Sequence, residues 1–310
     1  MKVVLHTAWA NVDRWIAELR EQAPDIELRL SSDIGDPAEI DAALVWQPPA
    51  GFFEGMTRLR LVQVLGAGID ALVRSGVALP ENVPLARLVD PLMSQRMAEY
   101  ALHGVMRFHR RFDLYERQQQ AALWERHFHD DPAEIGVGIM GVGEIGMTTA
   151  ELLRKVGYDV FGWSRSPRPA APVKVYAGRE ELPEFLARCR ILVCILPLTG
   201  ETRGIIDRET LALMPKGSFV INVARGPHVV VDDLLAALDS GRLEGAMLDV
   251  FDEEPLPSAS PLWSHPKVLV TPHAGAITNP RTAMAIIVEQ LRRIERGETP
   301  ANLVDLERGY

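Results

Sequence analysis

A chain of 310 residues and 34.4 kDa has room for two cores, since single hydrophobic cores stop growing near about 250–300 residues. With 47% hydrophobic and 24% charged residues, and with its glycines and prolines scattered, it falls outside the disordered and collagen-like classes. Forty-two acidic against 33 basic residues give a net charge of −9, which speaks against nucleic acid as a partner.

Taken in order, short apolar runs at 3–5, 26–30, 42–45, 61–64 and 85–88 alternate with helix-like stretches such as 11–22, the pattern of a small α/β unit on a parallel sheet. From Met93 to Gln120 a stretch rich in helix formers suits a helix crossing between domains, and His129–Pro132 reads as a break. A second α/β set follows, with strands expected at 136–140, 159–163, 191–195, 218–222, 245–249 and 268–270, and an amphipathic helix at 280–296 closes the pattern. The expected architecture is a doubly wound Rossmann-type parallel-sheet domain (99–274) inserted into a smaller flavodoxin-like α/β domain (1–98 with 275–310). Cys189 and Cys194 are too few for a disulfide framework, and the apolar run beside them reads as one buried strand. The start of the sequence does not read as a signal peptide, and no apolar run reaches membrane-spanning length. A cytoplasmic protein without a membrane partner is expected.

The strand at 136–140 runs directly into Gly141-Val142-Gly143-Glu144-Ile145-Gly146 and then into a helix. G-x-G-x-x-G alone is weak, but strand before and helix after is the context of a dinucleotide site: a tight turn, a close approach to pyrophosphate, and free N–H groups at a helix start. The bland alternative is a glycine-rich turn with no ligand. An NAD site places a carboxylate at the end of the next strand; here that strand ends in Ser164-Arg165-Ser166-Pro167-Arg168. A hydroxyl and two guanidiniums suit a 2′-phosphate, so NADPH is expected over NADH, unless the arginines simply solvate a loop.

Three later strands deliver Arg225, then Asp252-Glu253-Glu254, then Thr271-Pro272-His273. In a parallel sheet these ends share one edge, the edge where ligands bind. Singly, each reads as an ordinary loop residue; together Arg225, Glu254 and His273 make an acid–base pair with an anion anchor. No cluster has the spacing of a metal site.

The motifs Leu65-Gly66-Ala67-Gly68-Ile69-Asp70, Gly141 to Gly146, Ile195 to Thr199, Asn222 to Gly226, Leu248 to Phe251 with Glu254-Pro255, and Thr271-Pro272-His273 together resemble the D-isomer-specific 2-hydroxyacid dehydrogenases over nearly the whole chain. Trp46 to Pro49, Trp163 to Ser166, Ala177 to Leu182 and His228 to Gly241 look like its NADPH-preferring glyoxylate/hydroxypyruvate reductase A branch. The resemblance implies reduction of a small anionic 2-keto acid, with His273 as proton donor, Glu254 as its partner and Arg225 holding the substrate carboxylate and keto oxygen. It further implies that backbone N–H groups of Gly66, Ala67 and Gly68 hold the carboxylate, and it places Trp46 with the substrate. Pro197, Thr202, Ala224 and Asp249 join the glycine loop as cofactor residues, Asp249 toward the nicotinamide carboxamide. A homodimer through helices of the cofactor domain is implied as well.

Two departures stand out: Ala274-Gly275-Ala276 replaces the usual run after His273, and Pro227-His228 follows the Arg-Gly pair. Substrate preference is where they are expected to matter. His103, His109, His127 and His129 read as packing or surface residues. The rival readings are a non-enzymatic dinucleotide sensor or corepressor on the same scaffold, and a dehydrogenase for D-lactate, phosphoglycerate or formate. The missing regulatory domain weakens phosphoglycerate, and the residues beside His273 weaken formate. A methyltransferase fits the glycine loop alone.

Overall fold

The structure, a computed structural model, describes residues 1–306 except 8 and 170. The chain forms two compact units, Met1–Leu92 with Thr278–Tyr310, and Met93–Ile277. The expected domain edges, 98/99 and 274/275, lie slightly inside the second unit.

The first unit holds β1 (Lys2–His6), α1 (Val12–Gln22), β2 (Glu27–Leu30), β3 (Ala42–Val45), β4 (Leu61–Val64), α2 (Asp70–Arg74) and β5 (Leu85–Ala86). The five strands pair with one another in parallel in the order β2-β1-β3-β4-β5, the flavodoxin-like order. β3 and β4 are buried at every residue, which is why they read as continuous apolar runs with no alternation. The last helix of the chain, Pro280–Glu295, also belongs here; Asn279 caps it by accepting the Arg281 N–H at 3.0 Å. Its buried Ala283, Ile287, Leu291 and Ile294 recur at helical spacing and face α1 and β4.

The second unit continues with α3 (Pro91–His109), α4 (Phe112–Gln120), β6 (Gly136–Met140), α5 (Glu144–Val156), β7 (Asp159–Ser164), β8 (Lys174–Ala177), α6 (Leu182–Ala187), β9 (Ile191–Cys194), α7 (Arg208–Leu213), β10 (Ser218–Asn222), α8 (Val231–Asp239), β11 (Leu243–Leu248) and β12 (Val268–Val270); the helix at 280–295 is α9. The seven strands are parallel in the order β12-β11-β10-β9-β6-β7-β8. One face of the sheet is covered by an aromatic cluster that includes Phe161, Tyr176 and Phe185, the other by aliphatics such as Val137, Ile139 and Val193 with Phe108 and Phe219 stacked at 4.6 Å.

The doubly wound reading holds, with three differences in detail. The long helical stretch is two helices, because Arg111 turns left-handed (φ 57) and its guanidinium is held 2.9 Å from Glu244. β8, a short edge strand after a proline-rich loop, was not expected, and β5 has two residues only. Cys194 and Cys189 are buried and unbonded to each other; burial pushes the Cys194 thiol up to about 12. Among the described residues no helix is long and apolar enough to cross a membrane, and no cluster of side chains is arranged to hold a metal ion.

Candidate active site

β6 lies between β9 and β7, so the strand order reverses beside it, and this is where open α/β sheets bind ligands. The glycine loop sits there. Gly141 has φ 99 and a Cβ on it would stand 2.6 Å from the Ile195 carbonyl oxygen; a Cβ on Gly146 would overlap the Gly141 carbonyl. Around Gly143 there is open space where a Cβ would be. Two glycines are therefore required by the fold, while Gly143, which opens α5 as its N-cap, keeps the loop clear of side chain on its outer side. The N–H groups of Glu144, Ile145 and Gly146 begin the helix, where no intrahelical acceptor precedes them. This bare backbone cradle fits a pyrophosphate.

At the end of β7, the Ser164 hydroxyl donates to the Ser166 carbonyl at 2.7 Å. Arg165 and Arg168 are exposed, and Arg165 lies 3.7 Å from Glu201. After β9 the Thr202 hydroxyl donates to the Pro197 carbonyl at 2.7 Å and accepts the Thr199 N–H at 2.8 Å, so Thr202 shapes the loop that carries Pro197. Ala224 is pinned from both sides, its N–H donating to Asn222 Oδ1 at 3.1 Å and its carbonyl accepting from Arg225 at 2.6 Å.

The structure brings Glu254 and His273 together: Nδ1 of His273 is 2.7 Å from Glu254 Oε2, and Glu254 Oε1 accepts the Phe251 N–H at 2.9 Å. Partial burial of Glu254 raises its pKa, but the His273 hydrogen bond, the Phe251 N–H and the charges of His273 and Arg225 outweigh this and hold the carboxyl below its ordinary value. An ionised carboxylate only accepts, so Nδ1 carries the proton of this bond and Nε2 is the nitrogen left for chemistry. His273 has φ 51, a left-handed backbone that a non-glycine residue adopts only where the surroundings enforce it. The enforcer is Asp249. Its carbonyl accepts the His273 N–H at 2.8 Å. Its buried carboxylate accepts from Thr271 Oγ1 at 2.7 Å, Ala274 N–H at 2.8 Å, Gly275 N–H at 2.9 Å and the Tyr100 hydroxyl at 3.2 Å. Tyr100 also touches the Thr271 hydroxyl.

Asp249, expected beside the cofactor, thus spends its carboxylate on the loop that presents His273. Tyr100 was missed altogether; inside a helix it carries no sequence signal for a partner as remote as Asp249. In the first unit, Trp46 follows β3 and packs against Gly66, where a Cβ would come within 2.5 Å of the indole. Trp46 is half-buried and pairs with Trp9 at 5.3 Å between ring centroids.

Residues 102–275 match the family model described as D-isomer specific 2-hydroxyacid dehydrogenase, NAD binding domain. A glyoxylate/hydroxypyruvate reductase A from Klebsiella pneumoniae is 43% identical over the full length of both chains. A D-isomer specific 2-hydroxyacid dehydrogenase from Xanthobacter autotrophicus, solved with NADPH and MES, is 46% identical with a TM-score of 0.95, covering 100% of this chain and 99% of that one. An NADPH-dependent glyoxylate/hydroxypyruvate reductase from Sinorhizobium meliloti, solved with NADP and sulfate, is 34% identical with a TM-score of 0.93 over 100% and 99% of the two chains.

Proposed function

The chain belongs to the D-isomer specific 2-hydroxyacid dehydrogenase family, and from that premise we propose that it reduces small 2-keto acids with NADPH, glyoxylate to glycolate and hydroxypyruvate to D-glycerate. The observation that carries the reading is the 2.7 Å His273–Glu254 pair on the sheet edge that also holds the glycine loop. Relatives of full length bear the glyoxylate/hydroxypyruvate reductase name, and similar structures were solved with NADPH or NADP.

The loop 141–146 and the start of α5 hold the pyrophosphate of NADPH, and Ser164, Arg165 and Arg168 take its 2′-phosphate, with Pro197, Thr202 and Ala224 completing the cofactor side. When bound, the cofactor supplies the hydride that the keto carbon accepts. His273 Nε2 gives the proton to the oxygen of that carbon, so ketone becomes alcohol with one hydride and one proton added. Glu254 holds the ring by Nδ1 and fixes its orientation. Arg225 forks onto the substrate carboxylate and the keto oxygen, stabilising negative charge where it develops. In the first unit the backbone N–H groups of Gly66, Ala67 and Gly68 bind a carboxylate beside Trp46. A second copy of the chain packs on the helices that open the cofactor unit, where Met106 of α3 and Phe112 of α4 are exposed, giving a homodimer, and the protein is cytoplasmic.

The test is a panel of 2-keto acids run with NADPH and with NADH. Turnover of glyoxylate and hydroxypyruvate with a higher kcat/KM for NADPH is expected. Absence of turnover with every keto acid sinks the enzymatic reading, and a preference for NADH sinks the role of Arg165 and Arg168. Light scattering reads the dimer, which a monomeric mass refutes.

A further inference from the structure

Beyond Arg225 the chain makes a short 3-10 turn, Gly226–His228, and this turn is held on several sides. A Cβ on Gly226 would overlap the backbone of Phe251 and Asp252, at the start of the loop that carries Glu254. The Pro227 carbonyl accepts the Gly204 N–H at 2.8 Å and the His228 carbonyl accepts the Ile206 N–H at 2.9 Å, both from the loop after β9. His228 itself is fully buried.

The ring of His228 joins two parts of the site. Nε2 lies 3.3 Å from the Pro197 carbonyl oxygen. Nδ1 lies 3.2 Å from the Arg225 backbone nitrogen and 3.0 Å from the Arg225 carbonyl oxygen. The Pro197 carbonyl can only accept, so Nε2 bears the proton; in a neutral ring Nδ1 is then bare and accepts the Arg225 N–H. The Arg225 carbonyl is supplied from elsewhere, by Asn222 Nδ2 at 2.9 Å and the His228 N–H at 3.2 Å. The Pro197 carbonyl, for its part, is shared with the Thr202 hydroxyl at 2.7 Å. One buried imidazole therefore connects the backbone of the residue proposed to hold the substrate with the loop proposed to hold the cofactor.

We propose that His228 is a positioning residue for the reduction: as the neutral Nε2–H tautomer it locks the Arg225 backbone to the Pro197 carbonyl, so that substrate anchor and cofactor loop keep one register. The proposal rests on the function proposed above, and it assigns the His228 departure from the wider family pattern to alignment of the two ligands.

Two isosteric replacements separate the two ring nitrogens. His228→Asn retains an acceptor near the position of Nδ1 and loses the bond to Pro197; His228→Gln retains a donor near the position of Nε2 and loses the acceptor for Arg225. For His228→Asn the expected result is a rise of about tenfold in the Kd of NADPH, read by fluorescence titration, with the KM of glyoxylate changed by less than about twofold. For His228→Gln the expected result is the reverse, with kcat/KM for glyoxylate down about tenfold and NADPH binding near that of the parent. Equal changes in both parameters for both variants, or a lowered thermal midpoint with neither parameter moved, overturns the proposal, since a merely structural histidine predicts no such split. Independently of turnover, histidine-selective ¹⁵N NMR, assigned by the resonances missing from the Asn variant, is expected to show Nε2 protonated and Nδ1 bare; a protonated Nδ1 overturns it. Should the parent enzyme fail to reduce any keto acid, the function falls, while the NADPH titration and the NMR tautomer still decide whether His228 makes the bridge.

Discussion

Asp249 and Glu254 both follow β11 and both touch the segment that carries His273, yet they sit in opposite circumstances. Asp249 is buried and takes four donors from Tyr100, Thr271, Ala274 and Gly275. Glu254 is exposed enough to meet solvent and takes two, from Phe251 and His273. A carboxylate saturated by protein donors is a structural tie, because its removal leaves several donors unpaired at once. A carboxylate with one oxygen on an imidazole is free to share in a titration. The difference shows one carboxylate committed to a loop and another open to solvent; in the function proposed above, the chemistry falls to the exposed pair.

The sharpest way to break this division is to remove the exposed partner. His273→Ala is expected to lower kcat by about 10²–10⁴-fold, the usual contribution of a positioned acid, with NADPH binding retained. Near-native kcat ends the assignment. Stability adds a second reading: because His273 holds φ 51, His273→Gly is expected to exceed His273→Ala in unfolding free energy by about 1 kcal/mol, as alanine keeps the left-handed cost that glycine escapes. Both variants share the lost turnover, so strain and chemistry are measured apart.

Asp249→Asn comes next in size. The amide has one acceptor oxygen where the carboxylate had two, so at least one of the Thr271, Ala274 and Gly275 donors faces an NH₂ group. A buried donor left unpaired costs about 1–3 kcal/mol. A lower thermal midpoint and a reduced kcat are expected, with the shape of the pH profile unchanged; a displaced acid limb would make Asp249 part of the titrating set and dissolve the contrast.

How much of this was legible in the sequence follows from the range of the interactions. The parallel sheets and the meeting of Glu254 with His273 rest on apolar runs and on the rule that strand ends share an edge, and both can be read from local pattern. Gly141 and Gly146 were legible for the same reason: their requirement comes from a strand–turn–helix written in consecutive residues. The contacts of Asp249, Tyr100 and His228 were not, although the sequence names Asp249 and marks His228, because their partners lie on other elements and polar side chains show nothing of which backbone groups they will meet. The left-handed turns at Arg111 and His273 escaped because neither residue is glycine, so nothing local announces them. β8 escaped because it is a four-residue edge strand with only Tyr176 buried, too short to stand out after a proline-rich loop.

The smallest and most diagnostic change is Glu254→Gln. In the folded protein the Glu254 carboxyl is held below its ordinary value: burial opposes this, and the His273 bond, the Phe251 N–H and the charges of His273 and Arg225 prevail. A depressed carboxyl contributes its stability fully above the unfolded-state value and loses it as pH falls through the folded value. The carboxylate that holds the ring by Nδ1 is lost over that same interval. The parent enzyme is therefore expected to show an acid limb in kcat/KM below the ordinary carboxylate range, and Glu254→Gln to lack that limb while turning over more slowly throughout. Because the pair is partly open to solvent, screening keeps the matching change in stability small, so the pH profile is the measurement to make. An acid limb of the same position and depth in Glu254→Gln would show that another group titrates there, and Glu254 would then join Asp249 as a structural tie.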